Sequence, residues 1–345
     1  GLTNQNGHTM NSLGEVVNNA MELVEAQSEQ LTGVLPKDYT MFSDELLAEL
    51  LRIFNNSALD EVGGDIIGRI YEYFLNKFAK NIAQDDGVFF TPKSLVKMIV
   101  NVLEPAHGVL LDPACGSGGM FVQTGDFINA AGMEANSAMT FYGQEKVEYN
   151  AQLCLMNMAV HGLNGIIKSG DEANTFYHDA HNLDGCCDYV MANPPFNLKG
   201  WYDDNQKNDS RWADYQTPPE SNANYAWILH ILSHLKALKG VAGFLLSNGA
   251  LGDSDTLEIR KKLIQNDKVE AIIILPRELF ITTDISVTLW ILNQNKKGGE
   301  YHGRILRNRE KELLFMDLRT WTENPVKNES KKKVLLSSEQ IQKAA

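Results

Sequence analysis

The feature that most constrains the fold is a regular alternation of short apolar segments and longer amphipathic segments after about residue 87. The short segments predict strands and the longer ones predict helices. This alternation is typical of an α/β fold, in which helices cover both faces of a mostly parallel sheet. The predicted strands are 109–112, 140–144, 165–169, 189–192, 241–247, 269–275 and 286–292, and the predicted helices between them are 120–131, 147–161, 225–238 and 257–265. No helix is evident between the last two strands, which predicts an antiparallel pair at one edge of a seven-stranded sheet.

The first 86 residues have a different pattern, with apolar residues at helical spacing. Three helices are predicted, from Leu13 onward, around residues 46–54, and after Gly64. We therefore divide the chain into a helical N-terminal module (1–86), an α/β domain (87–320) and a C-terminal tail (321–345). Periodicity alone leaves open whether the N-terminal module packs on the core or docks a partner.

Composition limits the classes of function. The 345 residues are 43% hydrophobic and 22% charged, which is ordinary for a globular protein. No membrane span or signal peptide is evident, and the four cysteines suggest no disulfide framework, so a cytoplasmic location is expected. The net charge of −13 argues against unaided binding to nucleic acid, because such binding relies on neutralising phosphates.

A glycine loop follows the first predicted strand, with the sequence Asp-Pro-Ala-Cys-Gly-Ser-Gly-Gly over residues 112–119. In open α/β sheets, ligands bind beyond the carboxyl ends of the strands, where this loop lies. Phe121 breaks the dinucleotide fingerprint, and no Walker lysine follows. The loop therefore suits a ligand with an amino-acid end, whose α-ammonium Asp112 would bind while the glycines allow close approach. A purely structural turn is an equal alternative.

Two acidic residues follow the next two predicted strands. Glu145 could accept from both hydroxyls of a ribose, and Asp171 could accept from the amino group of an adenine. Either acid alone is more often a strand-end cap. Together with the glycine loop, they describe an adenosine that carries an amino-acid tail, which is S-adenosylmethionine.

The segment from Asn193 to Phe196, Asn-Pro-Pro-Phe, ends the fourth predicted strand. The two prolines make a stiff loop with free carbonyls, the asparagine offers an amide, and the phenylalanine offers a flat ring. Together they could hold a planar group that carries an NH₂. A strand end followed by a simple proline turn is the alternative.

In combination these motifs resemble those of amino-group DNA methyltransferases, and more narrowly the modification (M) subunits of type I restriction-modification systems. The motifs are Phe-Phe-Thr-Pro at 89–92, the glycine loop, Tyr-Gly-Gln-Glu at 142–145 and Asn-Pro-Pro-Phe at 193–196. The similarity spans roughly residues 60–320. The resemblance implies that the α/β domain is the methyltransferase catalytic domain, with a Rossmann-like, S-adenosylmethionine-dependent fold. It also implies more chain at both ends, and the segment 250–255 departs from the aromatic-Arg-Gly turn usual in the family.

The resemblance also assigns roles. It implies that Glu145 holds the ribose, that Asp171 holds the adenine, and that the target adenine, flipped out of DNA, lies on Asn193, Pro194, Pro195 and Phe196. The methionine end of S-adenosylmethionine would be held by Phe90, Thr91, Pro92, Asp112, Ala114, Gly116, Ser117, Gly118 and Gly119. The implied partners are a DNA-specificity (S) subunit, a restriction (R) subunit and a second M subunit.

Several alternatives remain at this stage. The chain could act on protein glutamine or RNA, or be a cofactor-binding assembly subunit without catalysis; cytosine is a lesser alternative target. The aromatic and basic insert 199–222 is placed to cover the target base, with a plain surface loop as the alternative. His178, His181, Cys186 and Cys187 lack the spacing of a metal site, so none is predicted.

Overall fold

Eight strands form the central sheet of the computed structural model, which describes residues 2–55, 64–86, 90–280, 283–321, 325–327 and 332–345. The strands are β1 (Gly108–Asp112), β2 (Met139–Glu145), β3 (Gly165–Ser169), β4 (Tyr189–Ala192), β5 (Val241–Ser247), β6 (Val269–Ile274), β7 (Val287–Asn293) and β10 (Leu314–Asp317). Their order is β10-β6-β7-β5-β4-β1-β2-β3, and β7 runs antiparallel to both its neighbours while the other pairs are parallel. Two antiparallel strand pairs lie outside this sheet, β8 (Gly299–Tyr301) with β9 (Arg304–Leu306) and β11 (Pro325–Lys327) with β12 (Lys332–Val334).

The mostly parallel α/β sheet is confirmed, but the strand number and the edge assignment are wrong. All seven predicted strands are present, and β10 adds an eighth by pairing in parallel with β6. The antiparallel pair β6 and β7 therefore lies inside the sheet, between β10 and β5. The short strand β10 was not predicted, although residues 313–316 are an apolar run, and Leu314 and Phe315 are 53% and 69% exposed in the structure.

The predicted helices are also observed. They are α1 (Leu13–Ala26), α2 (Asp44–Phe54), α3 (Gly64–Asp86), α5 (Gly119–Ala130), α7 (Glu148–Val160), α8 (Asn224–His234) and α9 (Leu257–Gln265). Three more were not predicted, α4 (Lys93–Leu103), α6 (Ala135–Ala138) and α10 (Ser338–Ala344). The helix predicted over 225–238 ends at His234, and Leu238 lies outside it, 78% exposed and with φ of 62°.

Side chains of adjacent residues along a strand point to opposite faces of the sheet, so they pack into different layers of the core. Leu245 packs in the layer beneath α4 and α5, whereas Leu246 packs in the layer beneath α8. Both layers are apolar and buried, so every central strand is covered on both faces. This arrangement leaves the carboxyl edge of the strands as the place for polar side chains.

The N-terminal helices pack on the outer part of the α/β fold. The side-chain amide of Gln30 donates to the carbonyl oxygen of Leu163 (3.2 Å) and accepts from the backbone N–H of Gly165 (3.0 Å). In α3, the hydroxyl of Tyr71 donates to the carbonyl oxygen of Leu153 in α7 (3.1 Å). The division into domains remains a prediction, and residues 87–89, which include Phe89 and the proposed boundary, lie outside the described residues. No helix within the described ranges is long and apolar enough to cross a membrane.

Candidate active site

The polar residues predicted at three strand ends lie side by side. Strand β1 has β4 on one side and β2 on the other, all in parallel, so their carboxyl ends meet at one edge of the sheet. Asp112 ends β1, Glu145 ends β2, and Asn193 directly follows β4. The sheet topology thus brings together residues that are far apart in the sequence.

The glycine loop is held against the end of β2 by Glu145. One carboxylate oxygen, Oε2, accepts a hydrogen bond from the backbone N–H of Gly116 (2.9 Å), and Oε1 accepts from that of Val147 (2.9 Å). Gly116 and Gly118 have φ of +51° and +80°, values that favour glycine. A side chain on Gly118 would also collide with Cys154, because its Cβ would lie 2.7 Å from the Sγ atom. Burial raises the pKa of Glu145 above its ordinary value.

Asp112 is almost fully buried at the base of the loop. Its Oδ1 atom accepts a hydrogen bond from the backbone N–H of Ala114 (3.1 Å), which closes the start of the loop. Burial raises the pKa of Asp112 to about 8, and the nearby charge of Glu145 adds to the effect, although the bond from Ala114 opposes it. Asp112 therefore carries a proton much of the time at neutral pH unless a cation lies beside it.

Asn193 has its side-chain amide oriented by Thr91. The Nδ2 atom of Asn193 donates a hydrogen bond to Oγ1 of Thr91 (2.8 Å). The other end of the amide, Oδ1, is buried and has no hydrogen-bond partner among the described residues. A buried acceptor without a donor is unfavourable, so this oxygen is suited to an N–H group of a ligand.

The rest of the Asn-Pro-Pro-Phe segment forms the wall beside Asn193. Pro194 is buried, Pro195 is exposed and Phe196 is half-buried. The Phe196 ring meets the ring of Phe280 edge to face, with centroids 6.1 Å apart. This contact fixes the Phe196 ring, which is the arrangement a stacking platform needs.

A small cavity joins most of the predicted cofactor residues to Asn193. It is lined by Phe90, Thr91, Asp112, Ala114, Cys115, Gly116, Ser117, Gly119, Met120 and Asn193. A Cβ atom on Gly116 or Gly119 would meet no atom within 4 Å, so the glycines leave open space along the loop. Pro92 lies at the start of α4, where it is the N-cap residue. This open loop beside an unpaired buried oxygen fits a ligand with a slender polar tail.

Asp171 is not part of that cavity. It is exposed, in a short 3-10 helix (Asp171–Ala173), and lines a separate cavity of about 440 Å³ with Phe176 and Gln206 among its neighbours. Its predicted contact with adenine therefore stays a prediction.

The insert 199–222 is not the exposed aromatic and basic cover that was predicted for the target base. Trp201 and Trp212 are each only 2% exposed and pack in the core layer beneath α8. Arg211 forms an ion pair with Asp209 (2.6 Å) and donates to the carbonyl oxygen of Phe176 (2.6 Å). These large side chains stabilise the fold of the insert, so the prediction of an exposed nucleic-acid surface is wrong. Of the four residues considered for a metal site, His181 contacts the carbonyl oxygen of Gly143 (2.8 Å), and no metal-binding group is found among the described residues.

Sequence reasoning missed a polar cluster next to the glycine loop. Glu72, Lys93, Gln123 and Asn157 line a second small cavity, which shares Ser117 with the first. These four residues come from α3, α4, α5 and α7 and have no common motif. The resemblance to the family gave none of the four residues a role.

Comparisons with known proteins agree with this geometry. The sequence profile of the N-6 DNA Methylase family matches residues 62–345. The chain belongs to this family. It is 37% identical over 326 residues to the type I restriction enzyme HindI methylase subunit of Haemophilus influenzae, covering 91% of this chain and 70% of the relative. It is 37% identical over 296 residues to the MjaIX methylase subunit of Methanocaldococcus jannaschii, covering 83% of this chain and 52% of that relative.

Solved structures agree at the level of the fold. A type I restriction-modification methyltransferase subunit from Streptococcus thermophilus superposes with a TM-score of 0.75 at 21% identity, over 96% of this chain and 69% of that one. A class I S-adenosylmethionine-dependent methyltransferase of Listeria monocytogenes gives a TM-score of 0.58 at 18% identity, over 91% and 88% of the two chains. The family profile and the methylase relatives confirm the predicted family and its enzyme class of adenine-specific DNA methyltransferases, and the solved structures confirm the methyltransferase fold.

Proposed function

We propose that this N-6 DNA methylase transfers a methyl group from S-adenosylmethionine to the exocyclic amino group of adenine in double-stranded DNA, as the modification subunit of a type I restriction-modification complex. The observation that carries this proposal is that the buried Oδ1 atom of Asn193, beside the glycine-loop cavity, has no hydrogen-bond partner in the described part of the chain. An acceptor in that place suits an amino group that must be positioned and activated.

The chemical difficulty lies in the adenine, because the lone pair of its amino group is delocalised into the ring. The Oδ1 atom of Asn193 and the carbonyl oxygen of Pro194 would accept its two hydrogens and favour a more pyramidal nitrogen. Phe196 would stack on the base, which must first leave the duplex at a cost of a few kcal/mol. Bound S-adenosylmethionine supplies an electrophilic methyl group, so positioning and electrostatics suffice without a covalent enzyme intermediate.

The carboxylates that we propose to bind the cofactor lie at the ends of strands on the same edge of the sheet as Asn193. Asp112 and the open glycine loop would hold the amino-acid end together with Phe90, Thr91 and Pro92. Glu145 is assigned to the ribose, and its burial between two backbone donors pre-orients the carboxylate. We keep Asp171 as the partner of the adenine ring, because it follows the neighbouring strand β3 at the same edge.

The proposed partners follow from the charge, the surface and the relatives. Because the net charge is −13, binding of this chain to DNA would release few counterions, so another protein must supply most of the affinity for DNA. Helices α2 and α3 expose large apolar side chains, as a surface that contacts another protein does. We assign this surface to contact with the DNA-specificity subunit. These side chains are Leu46, Leu50, Leu51, Ile53, Phe54, Tyr73, Phe74 and Phe78. A restriction subunit and a second modification subunit complete the proposed complex.

Reconstitution tests this proposal. The chain, extended to its natural length where it is a fragment, is assayed on host DNA with radiolabelled S-adenosylmethionine, with and without its DNA-specificity subunit. Site-specific labelling of adenine only in the complex supports the proposal. Robust site-specific labelling by the isolated chain would contradict the division of labour. Labelling of RNA or of protein glutamine instead of DNA would refute the substrate.

A further inference from the structure

A second cavity lies next to the cofactor cavity and shares Phe90, Thr91, Ser117 and Gly119 with it. The two cavities therefore meet along the glycine loop and the start of α5. Apart from Leu75 and Val96, the rest of its lining consists of polar side chains to which the proposed function gives no role. They are Glu72, Asn76, Lys93, Gln123 and Asn157.

Two amide side chains in this cavity have a fixed orientation. The Nδ2 atom of Asn157 donates to the carbonyl oxygen of Ser117 (2.8 Å), and the Nε2 atom of Gln123 donates to Oε1 of Glu72 (3.3 Å). Because each nitrogen faces an acceptor, each oxygen must be the opposite end of its amide. The orientation of both groups thus follows from the hydrogen-bond network.

Both amide oxygens lack a donor. Asn157 and Gln123 are only 3% and 4% exposed, and Oδ1 of Asn157 and Oε1 of Gln123 are buried with no hydrogen-bond partner among the described residues. Leaving two buried acceptors unpaired costs stability, so their presence in one cavity indicates a ligand that donates.

Glu72 and Lys93 form an ion pair in this cavity, so their two charges offset each other. The Oε2 atom of Glu72 lies 2.6 Å from Nζ of Lys93, and its Oε1 atom accepts from Gln123. The side chain is held in place because α3 packs closely on α7. A Cβ atom on Gly68 would lie 2.5 Å from Nε2 of His161, and the hydroxyl of Tyr71 is bonded to Leu153. The oxygen acceptors of Glu72, Gln123 and Asn157 are together suited to a group with several N–H donors, such as an ammonium.

We propose that Oε1 of Gln123 and Oδ1 of Asn157 bind the α-ammonium group at the amino-acid end of S-adenosylmethionine, with a carboxylate oxygen of Glu72 as a third acceptor. This inference rests on the proposed function and refines it, because the sequence pattern assigned the ammonium to Asp112 alone. Asp112 already uses one carboxylate oxygen to bond Ala114 and is mostly protonated when no cation is near. The N-terminal helices would then contribute to cofactor binding through Glu72.

The test is a set of calorimetric titrations on the full chain with three ligands. S-adenosylhomocysteine and decarboxylated S-adenosylmethionine both carry the amine, whereas methylthioadenosine lacks it. Gln123→Met keeps the length of the side chain and removes its oxygen. We expect this variant to bind the two amine-bearing ligands about tenfold or more weakly, while its affinity for methylthioadenosine stays within about twofold. Gln152→Met, in α7 but outside the cavity, is the matched control and should leave all three affinities unchanged.

Glu72→Gln, which keeps the shape of the side chain and removes its charge, should lower the affinity for the same two ligands. If Gln123→Met lowered the affinity for all three ligands equally, Gln123 would only shape the pocket, and the inference would be overturned. Unchanged affinities would overturn it as well. If the unmodified chain bound methylthioadenosine and the amine-bearing ligands equally, the ammonium subsite would be wrong while the cofactor assignment stood. If it bound none of the three, the proposed function itself would fail.

Discussion

Replacing Thr91 by valine tests how Asn193 is oriented. The two side chains are nearly the same size, but valine cannot accept the hydrogen bond that Nδ2 of Asn193 donates over 2.8 Å. The variant loses one hydrogen bond and leaves a part-buried donor unpaired, which together cost about 1–3 kcal/mol. Because every 1.4 kcal/mol is about a factor of ten, the population with the amide oxygen in its reactive orientation falls roughly tenfold to a hundredfold.

The assay is single-turnover methyl transfer in the reconstituted complex, at saturating S-adenosylmethionine and DNA. We expect the rate to fall by that factor in Thr91→Val, and Thr91→Ser, which keeps the hydroxyl, to stay near the wild-type rate. Cofactor affinity, measured by calorimetry, should change much less than the rate. A Thr91→Val variant with the wild-type rate would show that the hydroxyl does not orient the amide. A loss of cofactor affinity that accounts for the whole effect would assign Thr91 to binding instead.

Three further predictions follow from the site. Glu145→Ala should weaken S-adenosylmethionine binding by about 1–3 kcal/mol through lost charge-assisted hydrogen bonds, and an unchanged calorimetric affinity would remove the ribose assignment. Phe196→Ala should weaken capture of the flipped base by about 1–3 kcal/mol, measured with a fluorescent adenine analogue in the DNA target, while an identical signal in both proteins would exclude stacking. Burial raises the pKa of Asp112 to about 8 from an ordinary value of 3.8, so the folded protein retains a proton that the unfolded chain releases between these values. The contribution of Asp112 to the free energy of unfolding is therefore present at low pH and lost as the pH rises toward 8. Urea unfolding of Asp112→Asn should show a smaller loss of stability over this range than the unmodified protein, and parallel pH profiles would contradict the raised pKa.

The sheet could be predicted largely from the sequence because its strands are buried on both faces. Strand β4 and most of β5 consist of buried residues, so they appear as continuous apolar runs between loops. The edge strand β10 has a short apolar run as well, residues 313–316, yet Phe315 is 69% exposed in the structure. Its pairing with β6 depends on tertiary position, which local pattern does not contain.

The chemistry of the site was predictable where residues act from the ends of strands. Asp112, Glu145 and Asn193 each follow a recognisable strand, and parallel strands place them at one edge. The contacts among side chains were not predictable. Thr91 and Asn193 are 102 positions apart, and Glu72 and Gln123 are 51 apart, so no local motif joins them.

The insert shows a different limit of sequence reasoning. Trp201, Trp212 and Arg211 have the composition of a nucleic-acid surface, yet the tryptophans are buried and the arginine is bonded within the fold. The sequence of a loop does not show whether its aromatic and basic side chains face the solvent or the core. Exposure decides its role, and exposure depends on how the loop packs.

The most direct test of the central claim is to identify the methylated atom and its dependence on Asn193. The reconstituted complex is given radiolabelled S-adenosylmethionine and target DNA, and the digested nucleosides are separated and counted. We predict label only on the exocyclic amino group of adenine, with a loss of roughly a hundredfold or more in Asn193→Ala while cofactor affinity stays near normal. Near-normal turnover by Asn193→Ala, or label on cytosine instead of adenine, would contradict the account.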